Sequence, residues 1–217
     1  MQVIWKGQSC FQIITARNKH EQISLVIDPF DESIGLRIPK LEANILLVTH
    51  SHPDHNNVKI VAGNPFLING PGEYEIKGIF IQGIPSYHDN SKGAERGNNT
   101  IYTIESEDIR FCHLGDLGQK ELTGDQLEKI GDIDILAVPV GGVYTIDAKT
   151  AVKIISQIEP KIVIPMHYQI PKLKLKLDGL DKFLRSMGLK KIEPLNKLSV
   201  KKRDLSEKEL KIVVLKA

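Results

Sequence analysis

The chain has 217 residues, 29 Lys and Arg against 27 Asp and Glu, a net charge of +2 and 41% hydrophobic residues, which leaves room for one substantial globular domain. No apolar run nears the roughly 18–20 residues that span a bilayer, and residues 1–8 lack the charged-then-apolar order of a signal peptide. Cys10 and Cys112 are too few for a disulfide framework and lack the spacing of a thiolate metal site, so a reducing cytoplasm is the simplest location.

In chain order, Val3–Trp5 and Cys10–Ile14 read as antiparallel strands about a turn at Gly7. Ser24–Ile27 and Asn44–Val48 are continuously apolar runs, the mark of strands covered on both faces. Phe66–Ile68, Ile79–Ile81, Thr100–Ile104 and Ile109–Cys112 are further strands, and Gly70-Pro71-Gly72 reads as a turn. From there strands and helices alternate. A helix at Thr123–Ile130 has Thr123 as N-cap, and a strand follows at Asp134–Pro139. Asp147–Gln157 is helical, with Thr145 as a candidate cap. After a strand at Ile162–Pro165 comes a helix at Asp178–Met187 closed by Gly188, and Lys211–Leu215 ends the chain as a strand. Two strand-rich halves, each followed by helices, predict a four-layer α/β sandwich, αββα, forming a single domain over residues 1–217.

The chemistry is concentrated in Val48-Thr-His-Ser-His-Pro-Asp-His-Asn-Asn57, which holds His50, His52, Asp54 and His55, although the whole chain has only seven histidines. Imidazole and carboxylate are preferred ligands of zinc and neighbouring first-row metals. His50 and His52, two residues apart, point the same way from a strand end, while Asp54 and His55 fall on the next turn and face a second position. Further candidates follow other strands: His88, Asp116 between Gly115 and Gly118, and His167. His113, three residues before Asp116, competes with His88 as a ligand.

These residues resemble the metallo-β-lactamase superfamily, through the His-x-His-x-Asp-His run followed by a His, a Gly-Asp and a late His. Gly70-Pro-Gly-Glu-Tyr-Glu75, Glu95-Arg-Gly-Asn-Asn-Thr100, His113-Leu-Gly-Asp-Leu-Gly118, Pro139-Val-Gly-Gly142 and Pro165-Met-His-Tyr168 are similar to a branch of small Zn-dependent hydrolases related to L-ascorbate-6-phosphate lactonase-like proteins. The resemblance implies two divalent metal ions, zinc first, with manganese or iron compatible. His50, His52 and His88 would hold one, Asp54, His55 and His167 the other, with Asp116 bridging both. It implies a hydroxide between the ions as nucleophile, oriented or generated by Asp54, and Asp28 as a carboxylate fixing a ligand histidine. Tyr168 would offer its hydroxyl to a leaving group or oxyanion.

The expected activity is hydrolysis of a small anionic or ester substrate: an ester, lactone or phosphoester. The alternatives are a phosphodiesterase or nuclease acting on nucleic acid and a metal-binding scaffold without turnover. Residues 172–203 carry 11 Lys and Arg against Asp178, Asp181 and Glu193, either a solvated surface or a grip for phosphates. Arg96, Asn98 and Asn99 read as a polar loop able to meet an anion or to stabilise a turn. His20 sits in a polar hairpin, Arg17–Glu21, and reads as a solvent-exposed turn residue.

Overall fold

The structure is a computed structural model and describes residues 1–16, 21–38, 40–205 and 209–217; most of the polar turn expected at Arg17–Glu21, with His20, lies outside the described residues. β1 (Gln2–Gly7) and β2 (Cys10–Ala16) pair antiparallel across Gln8–Ser9, and β3 (Gln22–Ile27) pairs antiparallel with β2. β4 (Leu41–Glu42) and β6 (Val61–Ala62) form a small parallel ribbon flanking β5 (Ile45–Leu47), and β7 (Phe66–Ile68) runs parallel to β5. Apart from the separate β4–β6 ribbon, these strands join β14 (Leu198–Ser199) in a six-stranded sheet in the order β14-β1-β2-β3-β5-β7.

The second sheet has seven strands. β8 (Gly72–Ile76), β9 (Ile79–Tyr87), β10 (Asn98–Ser106) and β11 (Ile109–His113) meander antiparallel. β12 (Ile135–Pro139), β13 (Ile162–Met166) and β15 (Lys211–Ile212) continue it in parallel, giving the order β15-β13-β12-β11-β10-β9-β8. Among the described residues, three α-helices follow β11: α1 (Gly124–Ile130), α2 (Ala148–Ile158) and α3 (Leu180–Ser186).

Period-two alternation explains the continuously apolar runs. Leu25, Ile27, Ile45 and Leu47 join Trp5 and Phe11 in the main core, where Phe11 meets Phe111 of the other sheet at 6.1 Å between ring centroids. The intervening residues, Cys10, Val26 and Leu46, face outward onto Phe30, Ile34, Leu41, Val61 and Leu173. Around the parallel β3–β5 pair both faces of this sheet are therefore dry. Every residue of β12 and β13 is buried in the same way.

The αββα class agrees with the sequence expectation, with local differences. β8 was missed because Gly70-Pro71-Gly72 carries a turn signature, yet Gly72 opens the strand and Glu73 pairs with Gln82. The terminal strand is shorter than expected: Val213 donates to Val163 O, but the chain then leaves the sheet, and Leu215 pairs with Leu195 instead. Thr123 caps α1 in a capping box with Gln126. Asp147, not Thr145, caps α2 through Thr150 N at 2.8 Å; Thr145 directs its hydroxyl to Ile146 O. Gly188 takes the left-handed conformation just past α3. No helix of the described residues is long and apolar enough to cross a membrane.

Candidate metal centre

Strands of both sheets deliver the polar residues to one place. The loop leaving β5 carries His50, His52, Asp54 and His55 from the first sheet; His88 follows β9, Asp116 follows β11 and His167 follows β13 from the second. β9, β11 and β13 run in the same direction, so their carboxyl ends open on one edge, the usual location of ligand sites in α/β sheets.

Two groups form there, with ligand atoms mutually within 4.8 Å: His50, His52 and His88, and Asp54, His55, Asp116 and His167. Asp116 links them. Its Oδ2 lies 3.2 Å from His55 Nε2, 3.3 Å from His88 Nε2 and 3.1 Å from His167 Nε2. His50 Nε2 and His52 Nδ1 approach to 3.1 Å.

Hydrogen bonds fix which ring nitrogens are free. Thr49 Oγ1 donates to Asp28 Oδ2 at 2.7 Å, so it accepts from His50 Nδ1 at 3.0 Å. His55 Nδ1 donates to the same Asp28 oxygen at 2.8 Å. Asp28, itself fully buried, thereby orients two imidazoles and turns the Nε2 lone pair of each into the cluster. His55 Nε2 and His167 Nε2 are buried and have no hydrogen-bond partner, although a carboxylate oxygen lies within 3.4 Å of each. Lone pairs that converge without bonding one another suit a shared cation better than a hydrogen-bond network.

Electrostatics point the same way. Burial, reinforced by the neighbouring His55, pushes the pKa of His50 down to about 2, and burial also lowers His52, so both are neutral and able to coordinate. Burial alone would depress His55, but Asp116, Asp54 and Asp28 around it hold its proton well above the usual histidine range. Three buried or half-buried carboxylates therefore call for positive charge at this point. Burial opposes ionisation of Asp116 and Asp54, yet adjacent histidines hold both below the ordinary carboxylate range. The residues fit a cation-binding centre of nitrogen and oxygen donors.

The β1–β2 turn supports the cluster from beneath, which the sequence reading missed. Gln8 Nε2 donates to Asp54 Oδ2 at 3.0 Å, Gln8 O accepts from His167 N at 3.0 Å, and Ser9 Oγ donates to Asp116 Oδ1 at 3.2 Å. Asn99 Oδ1 accepts from Asp116 N at 3.0 Å, while its Nδ2 donates to Ser86 Oγ and Leu114 O. Polar turn residues look alike in sequence, and only the fold brings these four contacts together.

Gln8, Asp28 and His167 all have positive φ, strained for non-glycine residues and typical of functional sites. Gly141 and Gly118 permit the close approach of neighbouring backbone: a Cβ at Gly141 would lie 2.1 Å from His167 O, and one at Gly118 2.3 Å from His88 O.

His113 stands apart. Its Nε2 donates to Ser9 O at 2.9 Å and its Nδ1 accepts from Gly115 N at 3.1 Å, leaving no free lone pair. Tyr168 is buried with its ring 5.1 Å from Trp5, and its hydroxyl bonds to none of the seven residues. The catalytic role expected of it finds no support in this packing position. In the basic stretch, Lys182, Arg185 and Lys191 pair with nearby acids, and Lys202 pairs with Asp134.

A family model described as "Beta-lactamase superfamily domain" matches residues 2–167, and the chain belongs to the metallo-β-lactamase superfamily. Its relatives narrow this further. A UPF0173 metal-dependent hydrolase of Thermococcus onnurineus is 30% identical over 198 residues, covering 77% of this chain and 84% of the relative. A Thermotoga maritima structure of the same superfamily, described as a Zn-dependent hydrolase, is 36% identical, with a TM-score of 0.78 over 99% of this chain and 97% of the other. An isothiocyanate hydrolase from Delia radicum gut bacteria shares the fold at 11% identity and a TM-score of 0.68, covering 93% of this chain and 99% of the other. The chain thus groups, within that superfamily, with relatives described as metal-dependent hydrolases.

Proposed function

We propose that the chain hydrolyses a small ester, lactone or phosphoester at a dinuclear centre. His50, His52 and His88 hold one divalent ion, Asp54, His55 and His167 hold the other, and Asp116 serves both. The observation that carries this reading is the position of Asp116 Oδ2, within 3.3 Å of one histidine nitrogen of the first group and two of the second. Zinc suits the donor set and is the metal in the Thermotoga relative's description; manganese or iron would be accepted too.

Two bound divalent ions would supply a water of lowered pKa and polarise the scissile oxygen. The protein's part is to hold and orient. Asp54 is the more open of the two carboxylates, steadied by Gln8, and its low pKa keeps it ionised and able to accept a proton-bearing hydrogen bond from an attacking water. Asp28 and Thr49 keep His50 and His55 in the coordinating tautomer. Tyr168 serves packing in this reading. Cys10 and Cys112, buried and free, suit a reducing cytoplasm.

The test is elemental analysis combined with an activity screen over lactones, thioesters, phosphomonoesters and phosphodiesters. About two ions per chain and turnover of at least one class are expected, with both lost in Asp116→Ala. Metal without turnover would instead favour a scaffold, and binding of DNA or RNA that falls steeply with salt would favour the nuclease reading.

A further inference from the structure

Three loops meet beside the metal-ligand cluster: residues 88–97 after β9, 114–119 after β11 and 140–147 after β12. The first is closed by His88 N donating to Gly97 O at 3.1 Å; the second is tied to the end of β9 by Gly118 N donating to Tyr87 O at 2.9 Å, and the third to the second by Ile146 N donating to Leu117 O at 2.9 Å. Across them, the Arg96 guanidinium of the first loop lies over the Tyr144 ring of the third, 4.9 Å from its centroid. A ring contact of this kind orients a guanidinium without neutralising it.

The acids that could neutralise it are engaged elsewhere. Asp89 accepts four backbone N–H groups, from Ser91, Gly93, Glu95 and Arg96, at 2.7–3.0 Å. Glu95 accepts from Ser91 Oγ, Asp147 caps α2 and Asp178 pairs with Lys182. Among the described residues, no carboxylate pairs with Arg96. Asp89 also fixes the backbone that carries Arg96, so the guanidinium is presented rather than trailing in solvent. A planar five-donor fork held in this way is suited to an oxyanion, which it can grip through two parallel hydrogen bonds.

We infer that Arg96, seated on Tyr144, binds the anionic group of the substrate and selects carboxylate- or phosphate-bearing molecules over neutral ones. This inference rests on the hydrolase reading above and deepens it.

The test uses the metal-loaded full chain and two esters of one bond type: 4-nitrophenyl hydrogen succinate, an anion, and neutral 4-nitrophenyl butanoate. In Arg96→Gln, kcat/KM for the succinate ester should fall roughly tenfold or more beyond any fall for the butanoate, mainly through KM, the loss expected for a charge-assisted contact. Arg96→Lys should recover part of the preference, Tyr144→Phe should keep it and Tyr144→Leu should weaken it. Equal losses on both esters in Arg96→Gln would overturn the inference.

Calorimetric titration with inorganic phosphate and with succinate provides a second reading that needs no turnover. Weaker binding in Arg96→Gln of phosphate alone identifies a phosphate-bearing ligand, and of succinate alone a carboxylate-bearing one. Unchanged affinity for both overturns the proposal. Should neither ester be cleaved, the hydrolase reading fails for that bond while the titrations still decide the role of Arg96.

Discussion

At the residue scale, one carboxylate governs two imidazoles. Asp28 bonds His55 directly and reaches His50 through Thr49. Replacing it by Asn keeps the shape but removes the charge that fixes both tautomers. Asp28→Asn should therefore weaken metal binding by roughly 10–100-fold, as loss of an outer hydrogen-bonding partner does; competition with a chromophoric chelator would measure it. Asp89 offers a pH test. Burial opposes its ionisation, but four backbone donors hold its pKa down at about 2. Because the folded value lies below the unfolded one, its contribution to stability is complete above about pH 4 and is lost as pH falls through about 2. The amide NMR signals of Ser91, Gly93 and Arg96 should stay in place through pH 4 and shift only below it. The seven proposed ligands were legible because His and Asp advertise coordination chemistry. Gln8 and Ser9 were not, since their roles exist only through contacts made across the fold, and Asn99, read as part of a polar loop, lies instead in β10 and holds Asp116 N.

At the element scale, the continuously apolar strands announced themselves and the marginal ones did not. Ile45–Leu47 and Ile162–Met166 are apolar throughout because both faces are covered. β8 alternates between half-buried and exposed residues at a sheet edge, and a two-residue strand such as β14 carries no periodicity to read. The inter-sheet contact gives a stability prediction: Phe111→Ala removes a fully buried ring facing Phe11. A loss of about 3–5 kcal/mol is expected in denaturant titration. The backbone contact behind His167 gives another. Gly141→Ala forces a methyl group onto a carbonyl oxygen, so the His167 loop must shift and metal content should fall more than overall stability.

For the whole molecule, both sheets share one hydrophobic core and both contribute to the candidate metal centre. We propose that residues 1–217 unfold as a single cooperative unit, with coincident far-ultraviolet and tryptophan-fluorescence transitions; two separated transitions would contradict it. Chelation should lower the melting temperature, because metal binds only the folded arrangement: at an ion concentration a thousandfold above Kd the stabilisation is about 4 kcal/mol. A melting temperature indifferent to chelator would count against the proposed coordination.

The scatter of these side chains along the polypeptide also sets a timetable. The trio His50, His52 and His88 has been synthesised after 88 residues, whereas the other group waits for residue 167, some eighty residues afterwards. Because metal binds only the folded arrangement and the two sheets share one core, neither position becomes fillable until that last histidine and the strands around it have emerged.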